Sequence, residues 1–145
     1  MNMKIWKIIV AGIVFAIIAQ IIRTIESFAT MNYYIIEEYS PVWSKIMMPG
    51  PGPPPTEFYY YSIAFSVITG IIYVVVYEMI RKSLPGKTII KQGLYFGFLL
   101  FLLSIPWSLT MYLLINLPAM LLVYWSISSL IIDLIGGAVI ARINK

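Results

Sequence analysis

Neither histidine nor cysteine occurs in this 145-residue chain, and only 11% of it is charged. Without histidine there is no imidazole base, no His ligand for haem or zinc and no Ser/His nucleophile pair. Without cysteine there is no disulfide framework and no thiolate. The sequence also lacks a phosphate-binding glycine loop, a metal-ligand spacing and a nucleophile elbow, so no cofactor and no metal is expected and an enzyme is disfavoured. Any chemistry would rest on six carboxylates, eleven tyrosines and scattered hydroxyls, which leaves a lipid-acting enzyme as the residual enzymatic option.

Soluble domains carry roughly 25% charged residues. Here 61% of the residues are hydrophobic and the mean hydropathy is +0.90, a composition that only a membrane protein fits. The Ile-rich, Cys-free and His-free make-up suits a prokaryote, on composition alone. The formal charge of +4 does not form a basic face of the kind that binds nucleic acid, so no nucleic-acid partner is expected. The basic residues bracket apolar runs instead.

Four such runs, at about 5–29, 58–81, 88–115 and 118–142, are each long enough for a hydrocarbon core of about 30 Å. The expectation is an all-α, integral membrane four-helix bundle in a single domain, made of two antiparallel hairpins. The first run follows Lys4 and Lys7 and includes Ser27-Phe28-Ala29, which resembles a signal cleavage site. It is longer than a usual signal core, so a first transmembrane helix is preferred. The third run contains Pro106, which removes one backbone hydrogen bond and predicts a kink between Ser104 and Ser108.

Residues 30–57 form the long connection. Ser40-Pro41 has the form of a helix start, and Val42, Trp43, Ile46 and Met47 would share one face, predicting a short interfacial helix over about 41–48. A proline-rich spacer at 49–55 follows. Lys4, Lys7, Arg81, Lys82, Lys87, Lys91, Arg142 and Lys145, eight of the ten basic residues, lie at the opposite end of the runs. By the positive-inside rule both termini are expected in the cytoplasm of a multi-pass cell-membrane protein, with the long loop outside.

Small residues recur every fourth position: Gly12 and Ala16; Ser62, Ser66 and Gly70; Ser129, Gly137 and Ala141 around Asp133; and Gly93 with Gly97 as a GxxxG. Residues at that spacing share one helix face and let helices approach closely, so these are the predicted packing seams. Asp133 lies deep within the last run, where a charge costs about 2.5–3.5 kcal/mol. No basic side chain is apparent at its depth, so a neutral carboxyl group hydrogen-bonded to Tyr73, Tyr77 or a backbone carbonyl is expected. Gln20, Arg23 and Glu26, within reach of Tyr112 and Asn116, form a second candidate cluster toward the loop. There Arg23 would either snorkel to the headgroups or bind an anion.

These features point first to a small non-enzymatic membrane protein, structural or accessory, whose seams and stiff outer loop serve assembly. Its partners would be the lipid bilayer and either copies of itself, as a homo-oligomer, or another membrane protein. The alternative is a small oligomeric transporter or channel using Asp133 as a proton or cation site.

Overall fold

The computed structural model describes residues 4–50 and 52–145. Within them are four α-helices: α1 (Ile5–Tyr34), α2 (Thr56–Ile80), α3 (Ile89–Leu114) and α4 (Ala119–Ile143). All four are long and apolar enough to cross a membrane, which suggests a multi-pass membrane protein. Their outer faces agree: Leu113 and Leu114 are 81% and 77% exposed, a surface that water would penalise and lipid would not.

The helices start and stop where turn chemistry dictates. Pro55 and Pro118 immediately precede α2 and α4, where a missing N–H costs nothing because the first turn has no intrahelical acceptor for it. Thr88 caps α3, its side chain accepting a hydrogen bond from the Lys91 amide at 3.3 Å. α3 runs through Pro106 without interruption. Nearby hydroxyls bond back to the helix, Ser104 Oγ to the Phe101 carbonyl at 2.7 Å and Thr110 Oγ1 to the Pro106 carbonyl at 2.9 Å. α1 extends to Tyr34 rather than stopping near 29. Thr30 is fully buried there, its hydroxyl donating to the Glu26 carbonyl at 2.8 Å, and Tyr34 continues the helix to a contact with α4.

In packing order the helices run α2, α1, α4, α3. Two glycine-lined crossings hold them. At Gly12 and Gly70, α1 and α2 approach so closely that a Cβ on Gly70 would lie 3.0 Å from the Gly12 Cα. At the α3–α4 crossing, a Cβ on Gly93 would lie 2.6 Å from both the Ala138 Cα and the Gly137 carbonyl oxygen, and Gly97 rests on the backbone of Asp133. Close backbone approach of this kind supplies the dispersion contacts that hold apolar helices together in lipid.

The core is lopsided. The buried residues of α2 (Gly70, Val74, Tyr77) and of α3 (Gly93, Phe96, Gly97, Leu100) all lie in the halves nearest the short turn that joins these two helices. At that end, called here the terminal end, Tyr77 meets Phe96 edge-on with ring centroids 5.3 Å apart. Lys7 Nζ donates to the Lys145 carbonyl and Arg81 Nη1 to the Asn144 carbonyl, both at 3.0 Å. Toward the opposite, loop end, residues 56–69 of α2 and 101–114 of α3 contribute no buried side chain. The face of α3 that begins with Phe96 and Leu100 continues one and two turns on as Leu103 and Trp107, which are 68% and 66% exposed. α2 and α3 therefore meet at the terminal end and leave a gap between them at the loop end.

The connection differs from the expected helix over 41–48. It forms a six-residue 3₁₀ helix, Glu37–Val42, with Pro41 inside it, followed by a turn in which the Met47 and Met48 amides bond to the Ser44 carbonyl. Ser40 does not start the helix; it lies within it. The tighter 3₁₀ winding ends at Trp43, whose ring packs on Tyr34 with centroids 4.9 Å apart and approaches Trp125 at 6.5 Å. The proline-rich stretch includes Pro51, which lies outside the described residues.

Candidate functional site

α4 carries two adjacent rows at four-residue spacing. Ser129, Asp133, Gly137 and Ala141 form one, and its lower members face α3: Gly137 touches Gly93 and Gly97, and Ala141 lies against Gly93. Ser128, Ile132, Gly136 and Ile140 form the other, all buried and turned toward α1, where the Phe15 ring lies over Gly136. Isoleucine at two of those four positions hides the second row in the sequence, since isoleucine in a membrane run reads as lipid-facing.

At the loop end of these rows sits the main polar network of the described residues. On α1 the residues Gln20, Arg23 and Glu26 step by three, or about 60° backward around the helix per step. Gln20 turns to α2 and donates to Ser62 Oγ at 2.9 Å and Ser66 Oγ at 3.0 Å. Glu26 turns to α4, is 9% exposed, and accepts from Ser128 Oγ at 3.0 Å. Arg23 lies between them and looks into the wedge bounded by α2, α1 and α4. Its Nη1 donates to Glu26 Oε2 and to Ser128 Oγ, both at 3.0 Å, and its Nη2 to Ser129 Oγ at 2.9 Å. These three acceptors tie the guanidinium to Glu26 and to α4, with 44% of the arginine side chain still exposed.

The reach of Arg23 changes the surroundings of Asp133. Ser129 stands one turn, about 6 Å along the axis, from Asp133, and the Arg23 guanidinium is bonded to that serine. A basic side chain is thus present near the acid's depth, contrary to the expectation from sequence spacing. Asp133 is 5% exposed, so it does face the protein interior. The expected tyrosine partners are engaged otherwise: Tyr73 is edge-on to Phe15 at 5.2 Å and Tyr77 edge-on to Phe96. Among the described residues neither tyrosine donates a hydrogen bond to Asp133.

Tyr112 and Asn116 are not brought to Arg23. They line a cavity of about 460 Å³ at the loop end with Tyr39 and Pro118, beside an apolar cleft of about 310 Å³ between α3 and α4. α3 packs chiefly on α4, on the side of it away from Arg23, and that separation keeps Tyr112 and Asn116 from the arginine. Of the small-residue rows, Gly12 meets Gly70, and Gly93 with Gly97 meets Gly137 with Ala141. Ala16 is 3% exposed on the α1 face that carries Gly12 and Gln20. Ser62, Ser66 and Ser129 serve as hydrogen-bond acceptors for the polar network.

Two participants lie outside the sequence-derived set. Ser128 joins both members of the Arg23–Glu26 pair, and the cluster Ser126, Ser128, Ser129 was the signal that could have found it. Trp125 donates from Nε1 to the Tyr34 hydroxyl at 3.0 Å, closing the loop end of α1 on α4.

An ion pair held by serines inside an apolar bundle can fix helix register or recognise a charged group. Comparison with models of protein families, with characterised proteins and with solved structures finds no match for this chain.

Proposed function

We propose that this chain is a small non-enzymatic integral membrane protein, a structural or accessory subunit that acts by assembling with itself or with another membrane protein. The observation that carries this reading is the closed seam at Asp133: the acid is 5% exposed, and Gly97 rests on its backbone. A proton or cation site needs a path to water, and a seam packed backbone to backbone favours adhesion between helices over passage. The ordered 3₁₀ segment pinned at Trp43 supports a role for the loop as a docking surface. On the distribution of basic residues the protein sits in the cell membrane with both termini in the cytoplasm.

The test is light scattering of the protein in mild detergent, with mass spectrometry of whatever elutes with it. The expected result is a particle larger than one chain, unchanged in size by Asp133→Asn. A lone chain without partners would overturn the assembly reading.

One observation favours a second reading, an oligomeric transporter using Asp133. Arg23 stands about one turn from that acid, and a basic group near a buried carboxyl can gate a proton. Proton or cation flux in proteoliposomes that Asp133→Asn abolishes would establish it.

A further inference from the structure

We infer that the gap between the loop-end halves of α2 and α3 receives a transmembrane helix of a different protein, one that carries a carboxylate near the middle of its span and places it on Arg23. This rests on the assembly reading and names the partner's chemistry.

Three observations converge. The gap is a surface that the bundle leaves unfinished: Leu103 and Trp107, which continue the α3 face whose Phe96 meets Tyr77 of α2, are 68% and 66% exposed, while the other half of that helix is packed. Arg23 opens toward it with 44% of its side chain exposed. Guanidinium has five N–H donors; the three bonds here leave from Nη1 and Nη2, and Nε–H has no acceptor among the described residues. Nε–H and Nη2 share one edge of the guanidinium, an edge that takes a carboxylate through two parallel hydrogen bonds. In hydrocarbon an unpaired donor on a charged group costs several kcal/mol, so an acceptor at this position is strongly favoured.

Depth and the open Nε edge of the guanidinium select the occupant. Ser128 and Ser129 lie nine and ten residues into α4, about 15 Å below its loop end and close to the middle of a core of about 30 Å. Lipid phosphates sit at the surface, out of reach of a guanidinium held down by two serines and Glu26. A helix-borne carboxylate reaches that depth directly. A second copy of this chain cannot supply it, because the side chains of Glu26 and Glu78 are only 8% and 7% exposed and Asp133 as a residue only 5%. Glu57 sits in the first turn of α2, and Glu37 and Glu38 in the 3₁₀ helix of the long loop, all far from mid-span.

The full chain in phosphatidylcholine nanodiscs, titrated with a fluorescent Leu/Ala transmembrane peptide bearing one central Glu, tests this against the same peptide bearing Gln. The Glu peptide should bind at least tenfold more tightly. Arg23→Gln should erase that preference. Leu103→Trp, which fills the gap without touching the hydrogen bonds of Arg23, should weaken both peptides. Equal binding of the two peptides to the unaltered chain, a preference that survives Arg23→Gln, or loss of the preference when phosphatidylglycerol is added would overturn the proposal. A chain that elutes with partners yet treats the peptides alike overturns the charge recognition and leaves the assembly reading standing. A chain that elutes alone and binds neither peptide overturns both.

Discussion

Arg23 and Glu26 exemplify how far a residue's role depends on what its side chain reaches. As an i,i+3 pair they could stabilise an isolated helix by only a few tenths of a kcal/mol. Bridged by Ser128 to a second helix, with Glu26 buried, the pair becomes a tie whose members cannot be removed singly without leaving a charge unmatched. Arg23→Leu alone should therefore destabilise the protein by about 3 kcal/mol, and Glu26→Leu by a similar amount. The double variant should recover most of the loss. Unfolding in a detergent and denaturant titration measures all three, and a double variant as unstable as the sum of the singles would show that the two side chains act separately. The spacing of Arg23 and Glu26 was legible in the sequence; the inward direction of Arg23 was not, since it depends on serines more than a hundred positions away.

Among the elements, α4 carries most of the specificity, because it presents one four-residue row to α3 and another to α1. The row containing Asp133 can be read from small residues alone. The other row contains Ile132 and Ile140 and becomes visible only once Phe15 is seen on Gly136. At the crossing with α3, Gly97 has no room for any side chain, because a Cβ there would run into the backbone of Asp133 and Leu134. Backbone cannot rotate aside as a side chain does, so Gly97→Leu should cost at least the 1–3 kcal/mol of ordinary overpacking and separate α3 from α4. Gly50→Leu, in the loop with open space around it, serves as the control. A cysteine pair placed on α3 and α4 should crosslink in the parent and fail to do so in Gly97→Leu; an unchanged yield would contradict the close crossing.

The whole molecule is a bundle closed at one end and open at the other, an asymmetry that follows from where the small residues are. Glycines cluster where α2 and α3 are buried, while their loop-end halves, 56–69 and 101–114, contain none and leave Leu103 and Trp107 exposed. The absence of cysteine makes the proposed orientation directly measurable. Single cysteines at Gly50 and at Lys87 should differ, with only the first reacting in intact cells with a thiol reagent that does not cross membranes. The reverse pattern would invert the topology. The four helices, their approximate ends and the apolar character of the protein follow from the sequence, because length and hydropathy along one chain suffice to define a span. Which helices touch, that Tyr112 and Asn116 stand apart from Arg23, that the loop winds as a 3₁₀ helix onto Trp43, and that one end of the bundle stays open were decided by tertiary packing. Hydrophobic periodicity carries no information about these choices when every face of a helix is apolar, so rows that face lipid and rows that face protein look alike until backbones are brought together.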